Sequence, residues 1–370
     1  MKRKLFFILF IICVGITFKK YDRIEKYFIE REYYKVLQKA HLIKRCYQPL
    51  QDFDEIFAQE NINYELADKE ATENSFNKLN NLSLNSALKI PPITHHIYFS
   101  DNSKQLNDFY LEKMKANYDR LNALSLEWQH FIWTNKPEIF SDEVKNMKGV
   151  KVALVDELQD HILYETLIKS IANGVQSKSY YAEGSDLLRI MALEKFGGIY
   201  NDMDYEIYNA ARLFELIKNF DFIGGRETSQ RKSFYGNSFF AAKSNHPILQ
   251  EMIRLRNIDN QQSPDYIMYP CYTNDMIYFN GPPLLTIAYF KQNNIDGNND
   301  VILPSRMIFN TEFARLKNNT CHYNEITKED FILSNNNLDD SNDIIGADMF
   351  CGNWYDNKNN KKLDFIWNIP

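Results

Sequence analysis

The sequence predicts an α/β fold in which a mixed sheet is flanked by helices. Short apolar, β-prone runs alternate with longer segments whose apolar residues recur at helical spacing, and no internal repeat interrupts this order. The chain has 370 residues, of which 44% are hydrophobic, enough for one large domain with a stem. The net charge of -6, without a basic stripe, excludes the electrostatic pattern of a nucleic-acid-binding protein.

The first residues of the chain have the pattern of a targeting segment. Lys2, Arg3 and Lys4 precede an uncharged run from Leu5 to Phe18, and two lysines close it. The run is shorter than the roughly 20 residues that span a bilayer, but flanking lysines extend the effective span. Because no small-x-small cleavage site follows, we expect residues 1–20 to form an uncleaved signal anchor, with a cleaved signal peptide as the alternative.

Residues 21–90 are interpreted as a helical stem that continues into a polar connector. Apolar and aromatic side chains recur at roughly helical spacing between Ile24 and Leu37. From Gln48 onwards the chain is polar and rich in asparagine, which favours a connector with short helices. Pro91-Pro92 marks the entry to the main folded domain, predicted over residues 91–370.

The main domain is predicted as a regular succession of strands and helices. Strands are expected at Ile93–Phe99, Trp128–Trp133, Val150–Val155, Ile199–Tyr200, Tyr205–Tyr208 and Phe222–Ile223. Helices are expected at Lys104–Ala123, Glu157–Ala172, Ala210–Asn219 and Ile248–Arg256. Asn280-Gly281-Pro282 is interpreted as a turn and residues 292–300 as a polar loop.

The most informative stretch begins with the segment SDLLRIMALEKF, which starts at Ser185. Its apolar residues repeat at helical spacing, and Ser185 or Asp186 is a suitable residue to cap the start of a helix. Gly197-Gly198 ends that helix, and the short apolar strand Ile199–Tyr200 follows. The helix and strand therefore lead directly into the tripeptide Asp202-Met203-Asp204.

The pair Asp202 and Asp204 predicts a divalent-cation site. Residues two apart in an extended segment point to the same side, and the carboxyl ends of strands form the ligand-binding edge of an open α/β sheet. Two neighbouring carboxylates repel each other unless a positive charge lies between them. Mg2+ or Mn2+ takes oxygen ligands and shares them with substrate phosphates, whereas a solvated acidic turn is the alternative.

Asp186 and Arg189 lie one helical turn apart, on one face of the predicted helix. The guanidinium of Arg189 matches phosphate or sugar oxygens, and Asp186 accepts hydrogen bonds from sugar hydroxyls. A structural salt bridge between the two residues is the alternative interpretation.

The segment SDLLRIMALEKFGGIYNDMD resembles the signature of the DXD-containing glycosyltransferases of the family 32 type. Its S-D-x-x-R, G-G-x-Y and D-x-D pieces stand in the order and spacing of that family, which includes initiating α-1,6-mannosyltransferases and α-1,4-galactosyltransferases. The catalytic domains of the large clostridial glucosylating toxins are related. The resemblance implies a Rossmann-like GT-A fold over residues 91–370 and retaining transfer of a hexose, with Asp186, Arg189, Asp202 and Asp204 at the catalytic site.

The resemblance implies further donor-binding and metal-binding residues. Tyr98 takes the place of an aromatic residue that stacks on the nucleotide base, Asn135 ends a segment similar to W-T-D, and Tyr200 belongs to the G-G-x-Y piece. Asn237 lies in a segment similar to N-x-F-x-A and is expected to bind hydroxyls, with a turn residue as the alternative. Asn353 takes the serine position of a closing G-S-W-like segment that helps to hold metal and diphosphate.

We therefore expect a metal-dependent glycosyltransferase that uses a UDP- or GDP-sugar as donor and Mn2+ or Mg2+ as cofactor. Its acceptor would be a carbohydrate, a glycolipid or a protein. A catalytically inactive, membrane-tethered carbohydrate- or nucleotide-sugar-binding module is the alternative, and a tethered scaffold with a structural cation site is a third hypothesis. An anchored domain suits the Golgi or secretory pathway of a eukaryote, or the inner membrane or secretion in a bacterium.

Overall fold

The computed structural model describes residues 61–308 and 344–348, except 84–86, 102–105, 107, 125, 176–177, 228–233 and 263–280. The predicted anchor at 1–20, the stem helix that was expected from Ile24 to Leu37, and Asn353 lie outside the described residues. Among the described helices, none has both the length and the apolar character that a bilayer crossing requires. The described elements belong to one compact unit, Ile62–Pro370.

Seven strands form the mixed sheet at the centre of this unit. They are β1 (Ile93–Tyr98), β2 (Gln129–Thr134), β3 (Val150–Leu154), β4 (Gly198–Asn201), β6 (Phe222–Glu227), β7 (Phe234–Ala242) and β8 (Asp300–Leu303). Their order is β3-β2-β1-β4-β7-β6-β8, and β7 runs antiparallel to both of its neighbours. The pairs β1/β2, β1/β4, β2/β3 and β6/β8 are parallel, so the mixed sheet predicted from the sequence is confirmed. A separate ribbon pairs β5 (Tyr205–Ile207) with β9 (Gly346–Asp348).

Helices of four residues or more connect and cover these strands. They are α1 (Tyr64–Leu79), α2 (Asp108–Asn122), α3 (Asp142–Lys145), α4 (Tyr164–Asn173), α5 (Lys178–Phe196), α6 (Ala210–Asn219), α7 (Pro247–Gln262), α8 (Pro282–Gln292) and α9 (Ser305–Ile308). Single 3-10 turns lie at Pro137–Ile139, Val155–Leu158 and Ile295–Gly297. The alternation of strands and helices predicted from the apolar spacing is therefore present, and most ends are shifted by a few residues. The helix predicted from Glu157 begins only at Tyr164, after a 3-10 turn, and β7 was not predicted as a strand.

Helix α5 extends the helix that was predicted to start at Ser185. Its apolar residues Leu187, Leu188, Met191 and Ala192 are fully buried in the largest core cluster, as their spacing predicts. The helix begins at Lys178, so Ser185 and Asp186 lie inside it and the prediction that one of them caps its start is wrong. Residues 178–184 form the first part of this helix, because the only helix-breaking residue among them is a single glycine.

Gly197 and Gly198 make the sharp passage from α5 into β4. Their φ angles are +65° and +107°, in the region that favours glycine. A Cβ at Gly198 would lie 2.5 Å from the backbone oxygen of Ile93, so only glycine lets β4 approach β1 this closely. The pair therefore ends the helix, as predicted, and also brings β4 into the sheet beside β1.

Three local features were not specified by the sequence patterns. Residues 300–303 form β8 directly at the end of the predicted loop 292–300, and Val301, Ile302 and Leu303 of this strand are buried. Pro282 begins helix α8 rather than completing a turn, since a proline is accommodated in the first turn of a helix. In the connector, α1 packs along β8, where the Ser75 hydroxyl accepts a hydrogen bond of 2.9 Å from the Ile302 amide.

Candidate functional site

The candidate site lies where the parallel strands β1, β2 and β4 end. Tyr98 is the last residue of β1, Asn135 follows β2, and Asp202 follows β4. Because these strands are parallel neighbours, their carboxyl ends meet at one edge of the sheet. The sequence placed polar residues at the end of each strand, and the strand pairing places these ends beside one another.

An ion pair between Asp186 and Arg189 forms the centre of the site. The Arg189 Nη2 atom lies 3.0 Å from Asp186 Oδ1 and 3.6 Å from Asp202 Oδ1. The Arg189 Nε–H donates to the backbone oxygen of Ser185 at 3.2 Å, so the guanidinium is held at several atoms. Only 7% of the Arg189 side chain is exposed, compared with 33% for Asp202. Arg189 thus carries a buried positive charge between two carboxylates, one of which reaches solvent.

Strand β7 supplies Asn237 to the same cluster through an irregularity in its pairing. Ile223 pairs with Ala241 and Gly225 pairs with Gly236, so the single residue Gly224 of β6 stands opposite four residues of β7. Such bulges redirect side chains and occur often beside functional sites. Here the Asn237 amide donates to Asp186 Oδ1 at 2.8 Å, and its backbone oxygen accepts from Arg189 Nη1 at 2.5 Å.

Tyr200 connects Arg189 with the DXD tripeptide. The guanidinium carbon of Arg189 lies 4.4 Å from the centre of the Tyr200 ring, within the range of a cation–π contact. The Tyr200 hydroxyl donates a hydrogen bond to Asp202 Oδ1. Tyr200 is buried, and it therefore fixes the Arg189 guanidinium from one side while it orients the Asp202 carboxylate.

Asp202, Met203 and Asp204 form a turn, so the expectation that they lie in an extended segment is wrong. The Tyr205 amide donates to the Asp202 backbone oxygen at 3.0 Å, which closes a β-turn. The Asp202 amide donates to the backbone oxygen of Ser238 at 2.8 Å, which anchors the start of the turn to β7. Asp204 is partly buried within this turn. A turn rather than a pleated strand therefore carries the two carboxylates.

The charges of this cluster are strongly perturbed. Burial raises the pKa of the Asp186 carboxyl to about 6, with a further rise from the neighbouring Asp202 that Arg189 and Asn237 only partly offset. The pKa of Asp202 is also raised, mainly by burial, against the opposing effects of Arg189 and Tyr200. A buried carboxyl that titrates near neutrality beside a specific charge partner is typical of functional sites.

The other two predicted donor residues lie toward β2. Tyr98 is half-buried, with its ring centre 6.4 Å from those of Tyr110 and Phe140. The Asn135 side chain accepts from the Ser100 amide at 3.0 Å and donates to the Ser100 oxygen at 2.9 Å. Asn135 therefore fixes the loop that follows Tyr98, and a direct contact with a nucleotide stays a prediction.

Asp348, which the sequence analysis did not assign to the site, also lies beside the turn. Strand β9 places it opposite Tyr205, the residue that follows Asp204. Burial alone would lower the pKa of Arg189, but the surrounding groups raise it, and Asp348 is one of them. The sequence contained a signal, because the DMFCGNW segment occupies the place of the closing segment of the family, but only the β5–β9 pairing brings Asp348 to the turn.

The residues at the turn fit a hard divalent cation. The donors that Asp202 and Asp204 offer are carboxylate oxygens, which Mg2+ and Mn2+ prefer, and one-third of the Asp202 side chain remains open to solvent. Within the described ranges, no group of three or more histidine, cysteine, aspartate or glutamate side chains could enclose a metal ion. Mg2+ and Mn2+ usually complete their coordination with water and substrate phosphate oxygens, which these two carboxylates would leave room for.

A protein-family model and several solved structures are similar to the chain. Residues 81–222 match the family model described as a glycosyltransferase sugar-binding region containing a DXD motif. No curated protein matches the chain. Among solved structures, the chain is similar to the PaToxG glycosyltransferase, with 16% identity, a TM-score of 0.43, and coverage of 65% of this chain and 82% of that chain.

Two further solved structures show weaker similarity. The catalytic domain of alpha-toxin from Clostridium novyi has 12% identity and a TM-score of 0.33, with coverage of 68% of this chain and 82% of that chain. The galactosyltransferase LgtC has 9% identity and a TM-score of 0.34, with coverage of 75% of this chain and 97% of that chain. The match of residues 81–222 runs from just before β1 to the first residue of β6 and contains S-D-x-x-R and D-x-D, so this part of the chain is similar to the DXD-containing sugar-binding region of glycosyltransferases.

Proposed function

We propose that this protein is a GT-A type, metal-dependent, retaining hexosyltransferase that uses a UDP- or GDP-sugar. The observation that supports this proposal is the convergence of Asp186, Arg189, Asn237 and Asp202 beside the carboxyl ends of β1, β2 and β4. This cluster combines a fixed cation with hydrogen-bond acceptors for hydroxyls, as the binding of a sugar attached to a diphosphate requires.

Each residue of the cluster has a distinct role in the proposal. Asp202 and Asp204 hold Mn2+ or Mg2+, with Asn353 as a further predicted ligand. When bound, the cation neutralises charge that develops on the departing diphosphate. Arg189, fixed by Tyr200, holds donor oxygens, and Asp186 accepts hydrogen bonds from hydroxyls of the transferred sugar.

Retention of configuration is the part of the proposal that depends most on the family resemblance. A covalent mechanism would need a free carboxylate as nucleophile. Glu183 is buried and binds the Ser170 hydroxyl at 2.7 Å and Arg256 at 2.9 Å, so it serves the packing of α5. Asp186 is held by Arg189 and Asn237. These contacts favour front-side transfer, in which the acceptor attacks the face from which the diphosphate leaves.

The decisive experiment is a screen of UDP- and GDP-sugars for Mn2+-dependent hydrolysis by the purified full-length chain. We expect one donor to release its nucleotide diphosphate with Mn2+ or Mg2+ present, and EDTA to remove this activity. Tight donor binding without hydrolysis or transfer to any carbohydrate, glycolipid or protein acceptor would favour the inactive binding module instead.

The anchor and the stem form a separate proposal, because they lie outside the described residues. We expect deletion of residues 1–20 to release the protein from membranes while donor hydrolysis is retained, since the catalytic domain proposed for residues 91–370 contains the site. The measurement is sedimentation with membranes beside donor hydrolysis. A deletion variant that still sediments with membranes would refute the anchor.

A further inference from the structure

Strand β5 has one edge that no described strand covers. It consists of Tyr205, Glu206 and Ile207, and it begins directly after Asp204. One edge pairs with β9, and helix α2 packs along β5. Because successive residues of a strand direct their backbone groups to opposite edges, Tyr205 and Ile207 share one edge and Glu206 uses the other.

The side-chain amide of Asn117 on α2 completes the edge that Tyr205 and Ile207 share. Its nitrogen donates to the Tyr205 oxygen and its oxygen accepts from the Ile207 amide, each at 2.8 Å. An asparagine side chain carries a donor and an acceptor side by side, as a peptide group does. Asn117 is only 1% exposed, so it takes the place of a third strand in a buried position.

Two cations on the same face of α2 fix the remaining residue of β5. Lys113 and Arg120, one turn before and after Asn117, both bind the Glu206 carboxylate, at 2.5 Å and 2.9 Å respectively. Arg120 also donates to the Ile207 oxygen at 2.8 Å. Helix α2 thus contacts every residue of β5 through polar groups.

These contacts hold the end of the turn that carries the two predicted metal ligands. The turn starts where the Asp202 amide meets Ser238 on β7, and it ends where the Tyr205 amide meets the Asp202 oxygen. Asp204 lies between these points and is followed at once by the residue whose oxygen Asn117 binds. A shift of β5 would therefore move Asp204 relative to Asp202.

We propose that Asn117 is a positioning residue for the divalent cation, because its amide replaces a missing strand neighbour and fixes Asp204 through β5. This inference rests on the proposed metal dependence of the enzyme. Asn117 touches neither cation nor substrate, and its effect is transmitted through the backbone of Tyr205.

The test measures binding of Mn2+ itself to the full-length chain, by electron paramagnetic resonance of free Mn2+, beside the melting temperature and kcat. Asn117→Leu keeps the shape of the side chain and loses both hydrogen bonds, whereas Asn117→Asp keeps the acceptor for Ile207. Asn122→Leu is the matched control, since Asn122 ends the same helix and donates instead to the Lys148 oxygen at 3.3 Å.

We expect Asn117→Leu to weaken Mn2+ binding by about tenfold, the factor that one lost hydrogen bond corresponds to. Asn117→Asp should weaken it less, and Asn122→Leu should bind as the wild type does. The Mn2+ concentration that gives half-maximal donor hydrolysis should rise most in Asn117→Leu, less in Asn117→Asp and not in Asn122→Leu. Recovery of kcat at saturating Mn2+ would support positioning of the cation over general destabilisation.

Three outcomes would overturn the inference. Wild-type protein that binds no Mn2+ would remove the metal part of the proposed function, and the inference with it. If the wild type binds Mn2+ and Asn117→Leu binds it equally well, the inference about Asn117 is wrong, while the proposed metal dependence still stands. Loss of a cooperative thermal transition in both Asn117 variants would show that the amide is required for the fold rather than for the position of Asp204.

Discussion

Asp186 and Asp221 are two buried carboxylates with nearly equal exposure and opposite electrostatic environments. The Asp186 side chain is 12% exposed and the Asp221 side chain 10%. Asp221 binds Lys89 at 2.8 Å, Lys243 at 3.4 Å and the Asn299 amide at 2.8 Å. Burial opposes its ionisation, but these partners outweigh burial and lower its pKa.

Asp186 lacks such an excess of positive partners. Burial raises its pKa to about 6, and Arg189 and Asn237 only partly offset this effect while Asp202 adds to it. The positively charged and hydrogen-bonding partners of Asp221 outweigh the desolvation that its burial causes, as expected for a carboxylate that stabilises the fold. The raised pKa of Asp186 is consistent with a functional carboxylate, whereas the lowered pKa of Asp221 is typical of a structural ion pair.

The largest effect is expected at the DXD turn, on the Asp186 side of the contrast. Asp204→Ala should reduce kcat by about a thousandfold, because a cation on the departing diphosphate contributes several kcal/mol to the transition state. The melting temperature should change little. Asp119→Ala, at an exposed position of α2, is the control. Near-normal turnover of Asp204→Ala at saturating Mn2+ would refute the metal assignment.

A smaller loss of activity is expected from Arg189→Lys, which keeps the charge and loses the planar guanidinium. Lysine cannot contact Asp186, Asn237 and the Tyr200 ring together. We expect kcat/KM to fall by roughly tenfold to a hundredfold, as for a lost charge-assisted hydrogen bond. Arg254→Lys is the matched control, since Arg254 pairs with Glu251 at an exposed position. Unchanged kinetics with a lowered melting temperature would show that Arg189 is structural.

The raised pKa of Asp186 predicts an acid limb in the pH profile of the enzyme. Protonation below about pH 6 removes the carboxylate that accepts hydrogen bonds from sugar hydroxyls. At saturating metal, kcat/KM should therefore fall by about tenfold between one and two pH units below this pKa. Asn237→Ala removes a hydrogen bond that lowers the pKa of Asp186, so its acid limb should move to higher pH. If the acid limb of Asn237→Ala stays at the wild-type pH, the limb does not report the ionisation of Asp186.

The smallest effect on catalysis is expected at Asp221. Because the folded state lowers its pKa, its contribution to stability is present above the unfolded pKa and is lost as the pH falls through the folded pKa. The raised pKa of Asp186 has the opposite effect, because its contribution to the free energy of unfolding is lost as the pH rises toward about 6. At pH 7, Asp221→Asn should cost about 1–3 kcal/mol of unfolding free energy and leave kcat/KM unchanged.

Asp186→Asn is the companion variant for this experiment. It should lose activity but little stability at pH 7, because asparagine resembles the neutral form that burial favours. Denaturant titrations of both variants at pH 5 and pH 7 measure the contrast. Equal loss of stability in the two variants at pH 7 would contradict the distinction between a compensated and an uncompensated carboxylate.

Much of the fold could be predicted, because burial acts on local sequence patterns. The apolar spacing of Leu187, Leu188 and Met191 predicts the buried face of α5, and Gly197-Gly198 predicts its end. The start of α5 could not be predicted in this way. Ser185 is a suitable cap by residue type, but whether it caps depends on whether the preceding residues continue the helix.

The sequence by itself determined the residue types of the site and the order in which the strands present them. S-D-x-x-R and D-x-D are short motifs, so they identify Asp186, Arg189 and Asp202 as candidate site residues without knowledge of the fold. The tertiary structure alone decided that Asn237 reaches Asp186 through a bulge, that Asp348 lies beside the turn, and that Asn117 supports β5. Those contacts join residues far apart in sequence, and strand register and helix packing, which no local pattern encodes, determine which of them meet.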